Sequence, residues 1–159
     1  MRFDRSVEPL ASDEIFLELS QGLLQVVRSG EVAAAPRAID QPALQRARDF
    51  LCANARRVVR SDELERISGL SRFDLCLQFR RRFGTSPYRF LIMRRLQYVR
   101  ARLCRGAVLS DLAVEAGFSD QSHMTRKFKA ACGLTPRQYL VLRTAGAARD
   151  CAQPSAAIR

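Results

Sequence analysis

The chain has 159 residues, with 27 basic and 16 acidic side chains and a formal net charge of +11 at neutral pH. That length suits one ordinary domain, or one compact domain with an appendage. No apolar run reaches the roughly 18 residues that a membrane span needs. Residues 1–4 lack the basic start and apolar stretch of a secretory signal. We therefore expect a cytoplasmic protein.

Cysteine and histidine usage argues against catalysis and metal binding. The five cysteines are widely spaced without a CxxC pair, which indicates free thiols in a reducing compartment. Close Cys/His pairs for zinc are missing, and the single histidine, His123, offers little for a Ser-His or Cys-His arrangement. The sequence also lacks a glycine-rich phosphate loop. We expect no enzyme, no metal and no cofactor.

The charge is divided unevenly along the chain. Residues 1–40 carry four basic and seven acidic side chains, whereas the remainder carries 23 basic and nine acidic ones. This change of sign indicates a boundary between two functional regions. The basic region has the electrostatic character of a protein that binds a nucleic-acid backbone. Composition alone fits RNA, an anionic membrane surface or an acidic protein partner equally well.

In chain order, the first predicted element is an amphipathic helix over residues 13–29, where apolar residues recur at steps of three or four. A linker then runs to Ile39. Asp40 is predicted to cap the next helix, with Pro42 in its first turn. The apolar face of that helix comprises Leu44, Ala47, Phe50 and Leu51.

Three further helix starts are predicted from caps. Ser61 is followed by acidic residues that suit a helix N-terminus. Ser86-Pro87 and Thr135-Pro136 each fit a cap with proline at the first helical position. No segment shows an alternation of period two. The sequence therefore predicts an all-α protein.

The most informative feature is a repeat with an offset of 48 to 49 residues. Each copy predicts a helix, a tight turn and a second helix: glycine ends the first helix, an apolar residue fills the angle, serine caps the second helix, and phenylalanine anchors it. This is the pattern of a helix-turn-helix, whose second helix lies in the DNA major groove. The copies are Leu64, Gly69-Leu70-Ser71, Phe79, Gly84, Ser86-Pro87 and Phe90-Leu91, then Leu112, Gly117-Phe118-Ser119, Phe128, Gly133, Thr135-Pro136 and Tyr139-Leu140.

A long helix is predicted between the copies, from about Pro87 to Cys104. Its length of roughly 27 Å would suit two recognition helices about one DNA turn, near 34 Å, apart. One chain would then read two successive major grooves. The arginines of this long helix, at positions 94, 95, 100 and 102, are expected to serve solubility and structural ion pairs. The predicted buried stripe is Ile92, Leu96, Val99 and Leu103.

The double motif, and above all Gly117-Phe118-Ser119-Asp120-Gln121-Ser122-His123 with Phe128-Lys129, Gly133 and Thr135-Pro136, resembles the C-terminal DNA-binding domain of AraC/XylS-type regulators. The resemblance covers about residues 41–143. It implies a seven-helix, homeodomain-like double helix-turn-helix domain at 40–143. An extra amphipathic helix and linker would precede it at 1–39, and a flexible tail would follow at 144–159.

Family members usually carry an N-terminal cupin-like domain that binds an effector and dimerises. Here about 40 residues precede the DNA-binding part, so the resemblance does not extend to effector binding. The helix at 13–29 is similar to the dimerisation helix that ends that domain. A homodimer or heterodimer through 13–29 is therefore expected.

The resemblance places the base-facing positions of the second recognition helix at Gln121, Ser122, His123 and Arg126. Glutamine can pair with adenine, arginine with guanine, and serine or histidine with bases or phosphate. The alternatives are that these are ordinary polar surface residues and that His123 is a structural hydrogen-bonding group. Met124 and Phe128 are expected in the core.

In the first recognition helix the aligned positions are Arg72, Phe73, Cys76 and Leu77. Phe73 and Leu77 could touch thymine methyl groups. Alternatively, Phe73 packs against its own domain and Leu77 is simply exposed. Gln78 stands where the family usually has an apolar residue, so this unit is expected to contribute affinity more than base selection.

Phosphate contacts are expected from basic residues beside these faces, although a charge run is often only a solvated surface. They are Arg80, Arg81, Lys127 and Lys129. The sequence thus predicts a DNA-binding transcriptional regulator, and the resemblance implies an activator that touches RNA polymerase. The alternative is a truncated regulator or an interaction protein that forms heterodimers with a full-length relative.

Overall fold

The computed structural model describes the backbone of residues 38–150 and the side chains of residues 38–143. Within this part of the chain the structure is entirely α-helical, as predicted, and none of its helices is long and apolar enough to cross a membrane. The helix expected at 13–29 and the end of the tail lie outside the described residues. The seven described helices are α1 (Gln41–Ala53), α2 (Ser61–Ser68), α3 (Arg72–Phe83), α4 (Pro87–Leu103), α5 (Leu109–Glu115), α6 (Gln121–Cys132) and α7 (Pro136–Asp150).

The chain divides into two compact units, and the boundary falls within α4, between Arg94 and Arg95. Helices α1, α2, α3 and the start of α4 belong to the first unit. The remainder of α4 and helices α5, α6 and α7 belong to the second. Each unit therefore contains one complete copy of the helix-turn-helix predicted from the repeat. Helix α7 continues to Asp150, beyond the domain end expected at residue 143.

Four of the predicted caps are present. Asp40 Oδ1 accepts a hydrogen bond from the Ala43 amide at 2.9 Å. Ser71 Oγ accepts one from the Asp74 amide at 3.1 Å, which fixes the start of α3. At the two proline starts, Ser86 Oγ accepts the Arg89 amide at 3.2 Å and Thr135 Oγ1 accepts the Gln138 amide at 3.3 Å. Each bond satisfies a donor that the first turn of a helix leaves unpaired.

Two predicted caps are wrong by one residue. Ser61 is the first residue of α2 and Arg60 precedes it as the cap position, where Glu63 Oε1 accepts the Arg60 amide at 3.0 Å. Ser119 does not cap α6, because Asp120 takes that position and its Oδ1 accepts the His123 amide at 2.7 Å. A carboxylate is the stronger acceptor at a helix N-terminus, where the helix dipole favours negative charge.

The core of the first unit joins α1, α2 and α3. Gln78 is buried within it, and its Oε1 accepts the backbone amide of Asp40 at 2.8 Å. The polar residue that looked like a departure from the family pattern thus ties α3 to the start of α1. Arg46 adds a second tie, donating to the carbonyls of Ile67 and Ser68 at the end of α2. The apolar core residues include Leu44, Ala47, Leu51, Leu64, Leu75 and Phe79.

In the second unit the core joins the end of α4 to α5 and α6. The predicted stripe is confirmed, since Ile92 of the first unit and Leu96, Val99 and Leu103 of the second are all buried. Arg95 was expected to serve solubility or a structural ion pair, and the solubility role is wrong because only 1% of its surface is exposed. Its apolar stem fills the core while its guanidinium lies over an aromatic ring, so the residue packs rather than solubilises.

Candidate nucleic-acid interface

The turn of the first unit lies between α2 and α3. Gly69 ends α2 with a φ of +77°, a left-handed conformation that only glycine adopts without strain, and its amide donates to the Glu65 carbonyl at 2.8 Å. The Glu65 carboxylate then accepts the Arg72 amide at 2.6 Å. Together with the Ser71 cap, these contacts fix the angle at which α3 leaves the turn.

The turn of the second unit uses different contacts for the same geometry. Gly117 follows α5 with a φ of +83°. Phe118, predicted to fill the angle between the helices, is buried, and its amide donates to the Ala113 carbonyl at 3.0 Å. The Arg95 guanidinium lies 5.6 Å from the centre of the Phe118 ring. The turn is therefore anchored on a buried residue in the middle of α4.

Matching aromatic pairs hold the two recognition helices. Phe79 and Phe90 meet edge to face with ring centres 5.7 Å apart and planes at 71°. At the equivalent positions of the repeat, Phe128 and Tyr139 meet at 5.6 Å and 69°. Edge-to-face contact is a favoured geometry for aromatic rings. The repeat detected in the sequence therefore corresponds to a repeated aromatic contact in the structure.

On α6 the buried residues Met124 and Phe128 define the inner face, as predicted. With 3.6 residues per turn, the positions opposite them include Ser122 and Arg126. Both of these side chains and that of Gln121 are exposed. The structure therefore brings two of the four predicted base-facing residues, Ser122 and Arg126, to one solvent-facing side of α6, while Gln121 is exposed at the first residue of the helix and lies off that side. Thr125 lies beside Ser122 and Arg126 and is half-buried.

His123 sits differently from its neighbours. Its Nδ1 lies 3.1 Å from Ser119 Oγ, and its ring meets Phe118 edge to face at 5.5 Å. These contacts support the alternative of a structural hydrogen-bonding group. The amide of His123 and the hydroxyl of Ser119 both donate to Asp120. Those two bonds lower the pKa of the Asp120 carboxyl and keep it ionised at the start of α6.

On α3 the buried face consists of Leu75, Gln78 and Phe79. The helix period places Phe73 and Leu77 on the opposite side, with Cys76 next to them. Phe73 has 38% of its surface exposed, whereas Cys76 and Leu77 are half-buried. Phe73 is therefore partly covered and partly exposed, and it is not among the buried core residues of its unit. The predicted base-facing positions of the first unit form one largely apolar surface, with Arg72 exposed at its start.

The four predicted phosphate contacts lie on or beside these faces: the helix period places Arg80 on the side of Phe73 and Leu77, and Lys129 on the side of Ser122 and Arg126. Arg81 and Lys129 are exposed, and Arg80 is half-buried. Arg82, the last arginine of the run, donates to Gln41 Oε1 at 3.1 Å and lies 5.2 Å from the centre of the Phe83 ring. Lys127 is half-buried at the position equivalent to Gln78, on the flank of α6 rather than opposite its core.

The described side chains contain no group of three or more residues that could hold a metal ion. The features that converge are the two helix-turn-helix units, their outward helix faces and the basic residues around them. These define a DNA-binding class of protein.

Comparisons with known proteins agree with a DNA-binding class of protein. A family model described as a helix-turn-helix domain matches residues 64–141. A virulence regulon transcriptional activator, VirF of Yersinia enterocolitica, is 39% identical over 57 residues, which are 35% of this chain and 21% of the relative. The match therefore spans about a fifth of the length of that curated relative.

Solved structures match over a longer stretch. A probable AraC family transcriptional regulator from Rhodopseudomonas palustris is similar with a TM-score of 0.57 and 27% identity, covering 63% of this chain and 95% of that one. The DNA-binding domain of AdpA, solved with a target DNA, has a TM-score of 0.60 at 19% identity, covering 65% and 94%. That second similarity concerns the fold. The double helix-turn-helix domain of the chain is therefore of the AraC type, similar to that of a probable AraC family transcriptional regulator.

Proposed function

We propose that the protein is a sequence-specific DNA-binding transcriptional activator that acts in the cytoplasm and places α3 and α6 in successive major grooves. The observation that carries this proposal is the same in both units: the second helix of the motif turns a face away from its buried residues. On α6 that face holds Ser122 and Arg126, and on α3 it holds Phe73 and Leu77. A helix in the major groove needs such an unobstructed face.

The α6 face supplies the groups that distinguish base pairs by hydrogen bonding. Arg126 can donate two parallel bonds to guanine, and Gln121 can both donate to and accept from adenine. Ser122 can pair with any base edge or with phosphate. His123 is held by Ser119 and Phe118, so it supports the start of the helix rather than reading a base.

The flanking cations provide affinity that does not depend on sequence. Arg81 and Lys129 are exposed beside the two faces, and we assign them, with Arg80 and Lys127, to phosphate contacts. Neutralising phosphates releases counterions, so binding should weaken steeply with salt. The excess of basic over acidic residues after residue 40 has the right sign for this attraction.

Activation and assembly extend the proposal. The activating role is supported by the VirF relative, whose name describes a transcriptional activator. It would require a surface that touches RNA polymerase. Self-association or pairing with a related regulator through residues 13–29 stays a prediction, because that segment lies outside the described residues.

Two single substitutions test the assignment of α6. Arg126→Ala should weaken binding to the selected DNA site by about 1–3 kcal/mol and relax the preference at one base pair. Lys129→Ala should weaken cognate and scrambled DNA alike and reduce the salt slope by about one. Fluorescence anisotropy with both DNAs at several salt concentrations measures the two effects. An unchanged cognate-to-scrambled ratio for Arg126→Ala would remove that residue from base reading.

A further inference from the structure

We propose that the first unit selects thymine, through the methyl group at C5 of the pyrimidine, by apolar contact with the α3 surface formed by Phe73, Cys76 and Leu77. We call this the α3 apolar surface. The inference rests on the proposed function, because it concerns how one of the two recognition helices chooses its half of the site. It adds the chemical group that is read.

The α3 apolar surface lies on the side of the helix that faces away from the core of its unit. Phe73 and Leu77 are four residues apart and Phe73 and Cys76 three, so all three lie on one side of α3. The buried residues Leu75 and Phe79 lie on the other side. Phe73 stays 38% exposed although it is one of the larger apolar side chains of the unit. A surface of this kind costs solubility unless something covers it.

The repeat offers a direct comparison. With the offset that aligns Phe79 with Phe128, the positions of Phe73, Cys76 and Leu77 correspond to Ser122, Thr125 and Arg126 on α6. The second unit thus presents hydroxyl and guanidinium groups where the first presents a ring, a thiol and an isobutyl group. The first unit lacks, at these three positions, the groups that form strong hydrogen bonds to base edges.

The chemistry of the major groove indicates which DNA group the α3 apolar surface contacts. Each base edge there shows hydrogen-bond donors and acceptors, and the C5 methyl group of thymine is the apolar group among them. Apolar side chains therefore gain most by covering that methyl group. Arg72 and Arg81 are exposed at the two ends of the surface. Their positive charge favours the polyanionic DNA backbone over an apolar protein partner at this site.

The methyl group need not belong to thymine. 5-Methylcytosine carries the same group at the same ring position while keeping the hydrogen-bonding edge of cytosine. The α3 apolar surface should therefore also prefer methylated over unmethylated cytosine. Burying one methyl group is expected to change the dissociation constant about fourfold.

The experiment uses the full chain and the DNA site that it enriches from a random pool. Each thymine of the site is replaced by uracil, which removes only the methyl group. We expect an approximately fourfold loss at one or more thymines in one half of the site and a much smaller loss in the other half. At the same positions, 5-methylcytosine should bind more tightly than cytosine. Equal affinity for thymine and uracil throughout would overturn the inference.

Protein variants assign the effect to α3. In Phe73→Ala and Leu77→Ala, the loss of affinity caused by uracil should shrink toward onefold in the sensitive half of the site. Val58 is an exposed apolar residue of the same unit outside α3, and it serves as the control. The Val58→Ala variant should keep the full loss of affinity. A penalty that survives both α3 substitutions would overturn the assignment. Enrichment of no site at all would overturn the proposed function itself, whereas an enriched site without methyl sensitivity would overturn only this inference.

Discussion

The two units share the aromatic contact that anchors the recognition helix and differ in what that helix exposes. Phe79 with Phe90 and Phe128 with Tyr139 meet in nearly the same edge-to-face geometry. By contrast, Phe73 and Leu77 on α3 stand where α6 has Ser122 and Arg126. The residues that anchor each recognition helix are thus separate from the residues that the helix exposes. Under the proposed function, one scaffold carries two reading chemistries.

The largest expected effect on stability comes from removing the aromatic anchors. Phe79→Ala and Phe128→Ala should each lower the free energy of unfolding by about 3–5 kcal/mol, because both side chains are fully buried and leave a cavity. Denaturation followed by circular dichroism measures the loss. Phe73→Ala, a truncation of the exposed ring on α3, is the control and should cost much less. A small cost for either anchor would mean that the units are not held alike.

A second test concerns Glu63 and Asp111, which occupy equivalent positions of the repeat. Among the described residues, Glu63 forms an ion pair and Asp111 does not. In the first unit Glu63 accepts two hydrogen bonds from the Arg57 guanidinium, at 2.7 and 3.1 Å, and one from the Arg60 amide. The side-chain bonds and then the backbone bond lower the pKa of the Glu63 carboxyl to about 2. In the second unit Asp111 is exposed and accepts a bond from its neighbour Ser110.

The pH dependence follows from the direction of that shift. A lowered carboxyl pKa stabilises the folded chain above the unfolded value, and the contribution is lost as the pH falls from about 4.5 toward about 2. Since Arg57 is partly exposed and screened by solvent, Glu63→Gln should cost about 1–2 kcal/mol at neutral pH. The difference from the unsubstituted chain should shrink near pH 2 to 3. Asp111→Asn should change stability by less than about 0.5 kcal/mol, and a cost equal to that of Glu63→Gln would contradict this account.

An effect of about the same size as that of Glu63→Gln is expected at the turn of the first unit. A methyl group added at Gly69 would meet no atom within 4 Å, so Gly69→Ala should be destabilising only through the left-handed backbone, by about 1–2 kcal/mol. Gly69→Asn should recover part of this loss, because asparagine tolerates that conformation better. Thermal unfolding of the three chains gives the order. If alanine and asparagine cost the same, backbone conformation is not the cause.

Much of this architecture could be predicted because its signals are local. Helical periodicity, proline starts and paired glycines placed the helices and the repeat. The residues that were misjudged act through contacts distant in sequence. Gln78 binds an amide 38 positions away, and Arg95 is buried against Phe118 of the following motif. The cap at Asp120 rather than Ser119 depended on the backbone conformation of a single residue, which spacing alone does not determine.

We propose, as the main functional feature of this protein, that two recognition helices of different chemistry read two grooves. It is tested most directly by selecting DNA fragments bound by the purified chain at physiological salt and sequencing them. The account predicts an asymmetric motif of roughly 20 base pairs, with one half specified by hydrogen-bonding positions and the other rich in thymine. Binding without a motif, or a motif confined to one groove, would contradict it.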